Sequence, residues 1–86
     1  MSRISTGKMD RIKENILQHL FEESPKSLFT FEIAEAQARD KEFILKLMQD
    51  LEKRKLVKQT KRDFTRKRKW ALTDDAYQAY KGLLQP

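Results

Sequence analysis

The sequence has no cysteine, one histidine, two glycines and two prolines in 86 residues. Without cysteine there is no disulfide framework, no thiolate metal site and no thiol nucleophile. The lone His19 cannot build a multi-histidine zinc site, and it leaves a histidine-dependent triad with a single possible member. Gly7 and Gly82 stand near opposite ends and cannot form a glycine-rich phosphate loop. No apolar run exceeds three residues, as at Phe43-Ile44-Leu45, so no membrane span is expected. No apolar stretch follows Met1, so no secretory signal is expected. The neighbouring acids Asp74 and Asp75 do not face one another on a helix, which argues against paired acid/base chemistry. These absences remove the residue sets of most enzyme classes. No catalytic residue, metal site or cofactor is expected.

What is abundant is charge. Charged residues make up 37% of the chain and hydrophobic residues 38%, with a net charge of +6. A domain of this size buries roughly 60% of its unfolded surface. A core this thin forms only if its apolar residues fall at regular periods.

They do. Residues 1–7 are polar and aperiodic, and read as a flexible tail before a single domain at 8–86. Met9, Ile12, Ile16 and Leu20 then recur at three- and four-residue steps, which predicts a helix over 8–23. Ser24-Pro25 should end it, because the residue before proline is pushed out of the helical region. Leu28-Phe29-Thr30 is a short extended patch. Thr30 is expected to cap a second helix over 31–39, with Ile33 and Ala34 inward and the acid Glu32 one place early for a capping box. Asp40 should cap a third helix over 41–54, with Ile44, Leu47, Met48 and Leu51 inward. The period then changes to that of strands, at 56–60 and about 66–72, around a polar loop at 61–65. Leu56, Trp70 and Leu72 are expected in the core. Thr73-Asp74-Asp75 should open a last helix, whose apolar stripe is Ala76, Tyr77, Tyr80, Leu83 and Leu84.

The charge is unevenly placed. Residues 53–69 carry ten basic side chains and one acid, for +9, which leaves −3 on the rest. Lysine on a strand edge discourages sheet aggregation. Four consecutive basic residues, Arg66 to Lys69, beside a second basic cluster exceed what that requires. Such a density suits a polyanion, phosphate above all.

The element order, with two helices separated by a turn and followed by a basic hairpin, resembles the winged helix-turn-helix DNA-binding family of small transcriptional regulators. The segment FTFEIAEAQARDKEFILKLMQDLEKRKLVKQ (29–59) carries the helix-turn-helix pattern, and WALTDDAYQAY (70–80) resembles the return strand and capped last helix. The family often has glycine before the Leu-Val pair, where Lys55 stands here.

The resemblance implies a mostly α fold with a small antiparallel β-hairpin wing, in the order helix, strand, helix, helix, strand, strand, helix. It implies double-stranded DNA as partner, a protein partner or homodimer in addition, no membrane, and a cytoplasmic or nucleoid location. On the family's pattern, base-reading candidates are Lys41, Lys46, Gln49 and Lys53 on helix three. Phosphate-binding candidates are Lys58, Lys61, Arg62, Arg66, Lys67, Arg68 and Lys69 on the wing. Phe64, expected at the wing tip, either folds back onto the wing or contacts a partner or a minor groove. The acids Glu32, Glu35, Asp40, Glu42 and Asp50 lie on or near the two central helices and oppose phosphate there. The wing is therefore expected to be the stronger contact. Two further readings stay open: a winged-helix protein-interaction module in a larger assembly, and RNA binding through the wing.

Overall fold

A computed structural model describes residues 6–60 and 68–84. The elements are α1 (Thr6–Glu23), β1 (Leu28–Phe29), α2 (Thr30–Gln37), α3 (Lys41–Lys53), β2 (Val57–Gln59), β3 (Lys69–Leu72) and α4 (Asp74–Leu84). The order is the expected one. Helix α1 begins at Thr6, two residues before the expected start at Lys8, because a helix can extend through polar residues that need no core. The wing loop and the start of the return strand fall outside the described residues.

The three strands form one antiparallel sheet in the order β1-β3-β2. Val57 pairs with Leu72, Lys58 with Ala71, Gln59 with Trp70, Leu28 with Trp70, and Phe29 with Lys69. Directly opposed residues share a face, so this register assigns each side chain. Val57, Leu72, Trp70 and Leu28 face inward and all are buried. Lys58, Ala71, Lys69 and Phe29 face outward.

The core joins Ile12, Ile16 and Leu20 of α1 to Ile33 and Ala34 of α2, and to Ile44, Leu47, Met48 and Leu51 of α3. Trp70 closes it and is fully buried. Its indole N–H donates to Thr30 Oγ1 at 2.8 Å, so the one polar atom of the largest core residue is satisfied. Leu56, expected inside, is only half-buried, and Val57 takes the inward place. The strand begins one residue later than the apolar pair suggests, and a one-residue slip exchanges faces.

Thr30 is also not the cap of α2. Phe29 occupies that position, and Thr30 is the first helical residue. This places Glu32 where the acid of a capping box stands: its Oε1 accepts from the Phe29 backbone N–H at 2.9 Å, although Phe29 has no side-chain acceptor to complete the box. Asp40 caps α3 as expected, accepting from the Glu42 and Phe43 backbone N–H groups.

Helix α3 leaves through Lys55, whose φ is 62°. The Lys55 N–H donates to the Glu52 carbonyl and the Leu56 N–H to the Leu51 carbonyl, both at 2.9 Å, the Schellman arrangement. Thr73 buttresses this exit. Its hydroxyl donates to the Lys55 carbonyl at 2.9 Å and accepts from the Ala76 N–H at 3.2 Å, which also caps α4. Phe21 packs on Tyr77 and Tyr80, with ring centroids 5.1 and 5.5 Å apart, and this seats α4 on α1.

Candidate nucleic-acid interface

Helix α3 is strongly two-faced. Ile44, Leu47, Met48 and Leu51 are buried, whereas Lys41, Lys46, Gln49 and Lys53 are exposed. Lys46, Gln49 and Lys53 follow one another at spacings of three and four, so they form one stripe away from the core. Glu42 lies one turn before Lys46 on the same stripe and is exposed.

The acids that seemed to oppose a polyanion are mostly engaged. Asp50 points back to α1, where Lys13 Nζ lies 2.7 Å from its Oδ2, and Arg54 Nε lies 3.1 Å from the same oxygen. The Lys13 hydrogen bond, aided by the neighbouring cations, holds the Asp50 carboxyl below the usual aspartate value. Glu32 and Asp40 cap helix starts. Glu52 accepts from the Gln59 side chain at 3.2 Å and so ties the wing strand to α3. Of the five acids near the two central helices, Glu35, Asp40 and Glu42 are exposed, and of these only Asp40 is engaged in a cap.

On the wing, Lys58 is exposed, while Arg68 and Lys69 are half-buried at the side facing β1. The register places Lys58 and Lys69 on the same outer face. Phe29, directly opposite Lys69, holds the ammonium over its ring at 4.9 Å. Phe31 stacks on Phe29 with centroids 5.4 Å apart and is itself 41% exposed. This outward aromatic pair beside a basic strand was not visible in the sequence. The residues straddle a strand-to-helix change, so neither period describes them. Lys61, Arg62, Phe64, Arg66 and Lys67 lie outside the described residues.

Three antiparallel strands, a helix-turn-helix whose second helix exposes a polar stripe, and a hairpin after it define a winged helix-turn-helix fold. The chain is similar in structure to MepR, a transcription regulator of the Staphylococcus aureus multidrug efflux pump MepA. The TM-score is 0.74 at 22% identity, over 85% of this chain and 53% of that one. It is similar to MepR in an S. aureus MepR–DNA complex, with TM-score 0.78 and 21% identity over 91% of this chain and 65% of the other. It is also similar to the apo form of a C30AH42A mutant of ZitR from Lactococcus lactis, with TM-score 0.74 and 23% identity over 91% and 58%. The chain thus spans between 53% and 65% of the length of these proteins. No protein-family model and no curated protein sequence matches the chain.

Among the described residues, no three His, Asp or Glu side chains are placed to hold a metal ion, and no helix is long and apolar enough to cross a membrane.

Proposed function

We propose that this chain binds double-stranded DNA as a transcriptional regulator, or as the DNA-binding part of one. In this reading α3 lies in the major groove and the basic wing lies on the phosphate backbone. The observation that carries it is the joint surface of α3 and the hairpin. Lys46, Gln49 and Lys53 stand exposed on the helix, Lys58 and Lys69 share the outer face of the wing, and three of the five nearby acids are engaged in caps or ion pairs. The MepR–DNA complex supports the reading, since a protein of the same fold is there bound to DNA.

Each part of the surface has its own task. Gln49 pairs with adenine through two hydrogen bonds, and Lys46 donates to guanine. Lys58, Lys61, Arg62, Arg66, Lys67, Arg68 and Lys69 neutralise phosphates without reading sequence.

A selection from random duplex sites tests the assignment. Gln49→Ala should change the selected consensus more than the overall affinity. Replacing Arg66, Lys67, Arg68 and Lys69 together by Ala should weaken binding to every sequence. A selection that enriches no site, or stronger binding to RNA than to B-form duplex in competition, would overturn the proposal.

A further inference from the structure

The wing lies beyond the C-terminal end of α3. A second basic feature lies beyond its N-terminal end. There, an open groove of about 490 Å³ runs between the first half of α1 and the end of α2, lined by Gly7, Lys8, Arg11, Ile12, Asn15, Gln37 and Arg39. Three of these carry positive charge, two carry amide side chains, and no acid is among the described residues that line the groove. Arg39 stands in the turn immediately before Asp40, the cap of α3. Its guanidinium lies 5.9 Å from the centroid of the Phe43 ring on the first turn of α3, so the cation is held at that end of the helix.

This placement is not a by-product of the chain's overall basicity. Outside residues 53–69 the protein carries a net −3, so a groove with three cations and no lining acid runs against its surroundings. Lysine, arginine and amide side chains together supply only donors and orientable amides, the set that coordinates phosphate oxygens. The spacing is also apt. With 13 residues, α3 is about 20 Å long. A major groove roughly 12 Å wide, walled by phosphates on both sides, leaves one strand of backbone near each end of such a helix.

We infer that the Lys8-Arg11-Arg39 groove is a second phosphate clamp, which grips the DNA backbone on the side of the major groove opposite the wing. This rests on the DNA-binding reading above and extends its footprint from the hairpin to α1. Arg11 and Arg39 are the principal contacts, and Asn15 and Gln37 fill the remaining phosphate oxygens. Together with the wing they fix the angle of α3 in the groove, because contacts at one end alone leave the helix free to pivot.

The test is the salt dependence of binding to a single duplex, with the wild type, Arg11→Ala/Arg39→Ala, Arg39→Lys, and Lys58→Ala/Lys69→Ala compared. Each lost phosphate contact reduces the slope of log K against log salt by about 1. The Arg11/Arg39 double variant should flatten the slope by roughly two and weaken binding to every sequence. Arg39→Lys should keep the wild-type slope. Thermal melting by circular dichroism controls for folding, and the single Arg11→Ala variant, on an exposed helix face, stands in if the double variant unfolds. An unchanged slope in the Arg11/Arg39 variant, with a reduced one in the Lys58/Lys69 variant, overturns the second clamp and leaves the wing reading intact. A flat wild-type dependence overturns both. Inorganic phosphate, added at constant ionic strength, separates the two sources of the anion. If it shifts the amide resonances of 8–15 and 37–39 while the double variant leaves the DNA slope unchanged, the groove takes free anions and the backbone clamp is wrong.

Discussion

Replacing Lys55 by glycine should make the protein more stable. Lys55 sits at φ 62°, in the left-handed region, with its N–H and that of Leu56 both committed to the Schellman exit of α3. A side chain with a Cβ costs about 1–2 kcal/mol in that conformation. Glycine removes the cost but loses more entropy on folding, by about 0.4–1 kcal/mol. The net gain is on the order of 0.5–1 kcal/mol. For a domain of this size that raises Tm by roughly 2–8 °C. Lys55 is exposed and its substitution opens no cavity, so a Lys55→Ala control isolates the backbone effect. Alanine keeps the strain and removes the charge, and should change stability by no more than about 0.5 kcal/mol. Urea unfolding followed by circular dichroism reads both variants. If the Lys55→Gly variant is no more stable than the Lys55→Ala variant, the left-handed strain does not limit stability, and the account of this helix exit is wrong. Ala38, at φ 53° with Arg39 N–H bonded to the Ala34 carbonyl, offers a second trial of the same reasoning. Ala38→Gly should also stabilise.

Other outcomes follow from particular contacts. Thr30→Val should strand the buried Trp70 N–H and cost about 1–3 kcal/mol in denaturant unfolding, whereas Thr30→Ser should retain most of the stability. Trp70→Ala should cost about 3–5 kcal/mol by emptying the centre of the core, enough to leave much of a small domain unfolded. Asp50 has its folded-state pKa lowered, chiefly by the Lys13 hydrogen bond, so its ion pair stabilises above the unfolded-state value of about 4 and is lost as pH falls through the folded one. Acid unfolding of wild type and Asp50→Asn should therefore converge at low pH and differ above pH of about 4, with the variant less stable.

Much of the fold was legible because the helices are amphipathic in a simple way. Ile12-Ile16-Leu20 and Ile44-Leu47-Met48-Leu51 announce their buried faces by spacing alone, and both faces are buried. Caps from single side chains were legible too, as at Asp40 and Thr73. What failed was local register. Thr30 looked like a cap, yet its hydroxyl serves an indole forty residues away, a pairing that no local pattern carries. Leu56 and Val57 exchanged places because the turn at Lys55 sets where the strand begins.

The candidate interface was legible in its charge and less so in its arrangement. The spacing of Lys46, Gln49 and Lys53 places them outward, and they are exposed. The acids Glu32, Asp40 and Asp50 looked like obstacles because a sequence shows sign and not partner. The Lys13–Asp50 pair joins residues on separate helices, and only the packing of α1 against α3 reveals it. The groove at Arg39 was hidden for the same reason: Lys8 and Arg11 sit one turn apart on α1, but Arg39 follows in the turn after α2, and only the packing of α1 against α2 brings it to them.

The most direct test of the central claim is the affinity of the whole chain for B-form duplex DNA across a salt series. If about six basic side chains of the wing neutralise phosphates, log K should fall against log salt with a slope of roughly −5, and more steeply with the groove contacts added. A slope near zero, or no binding at low salt, would contradict the account.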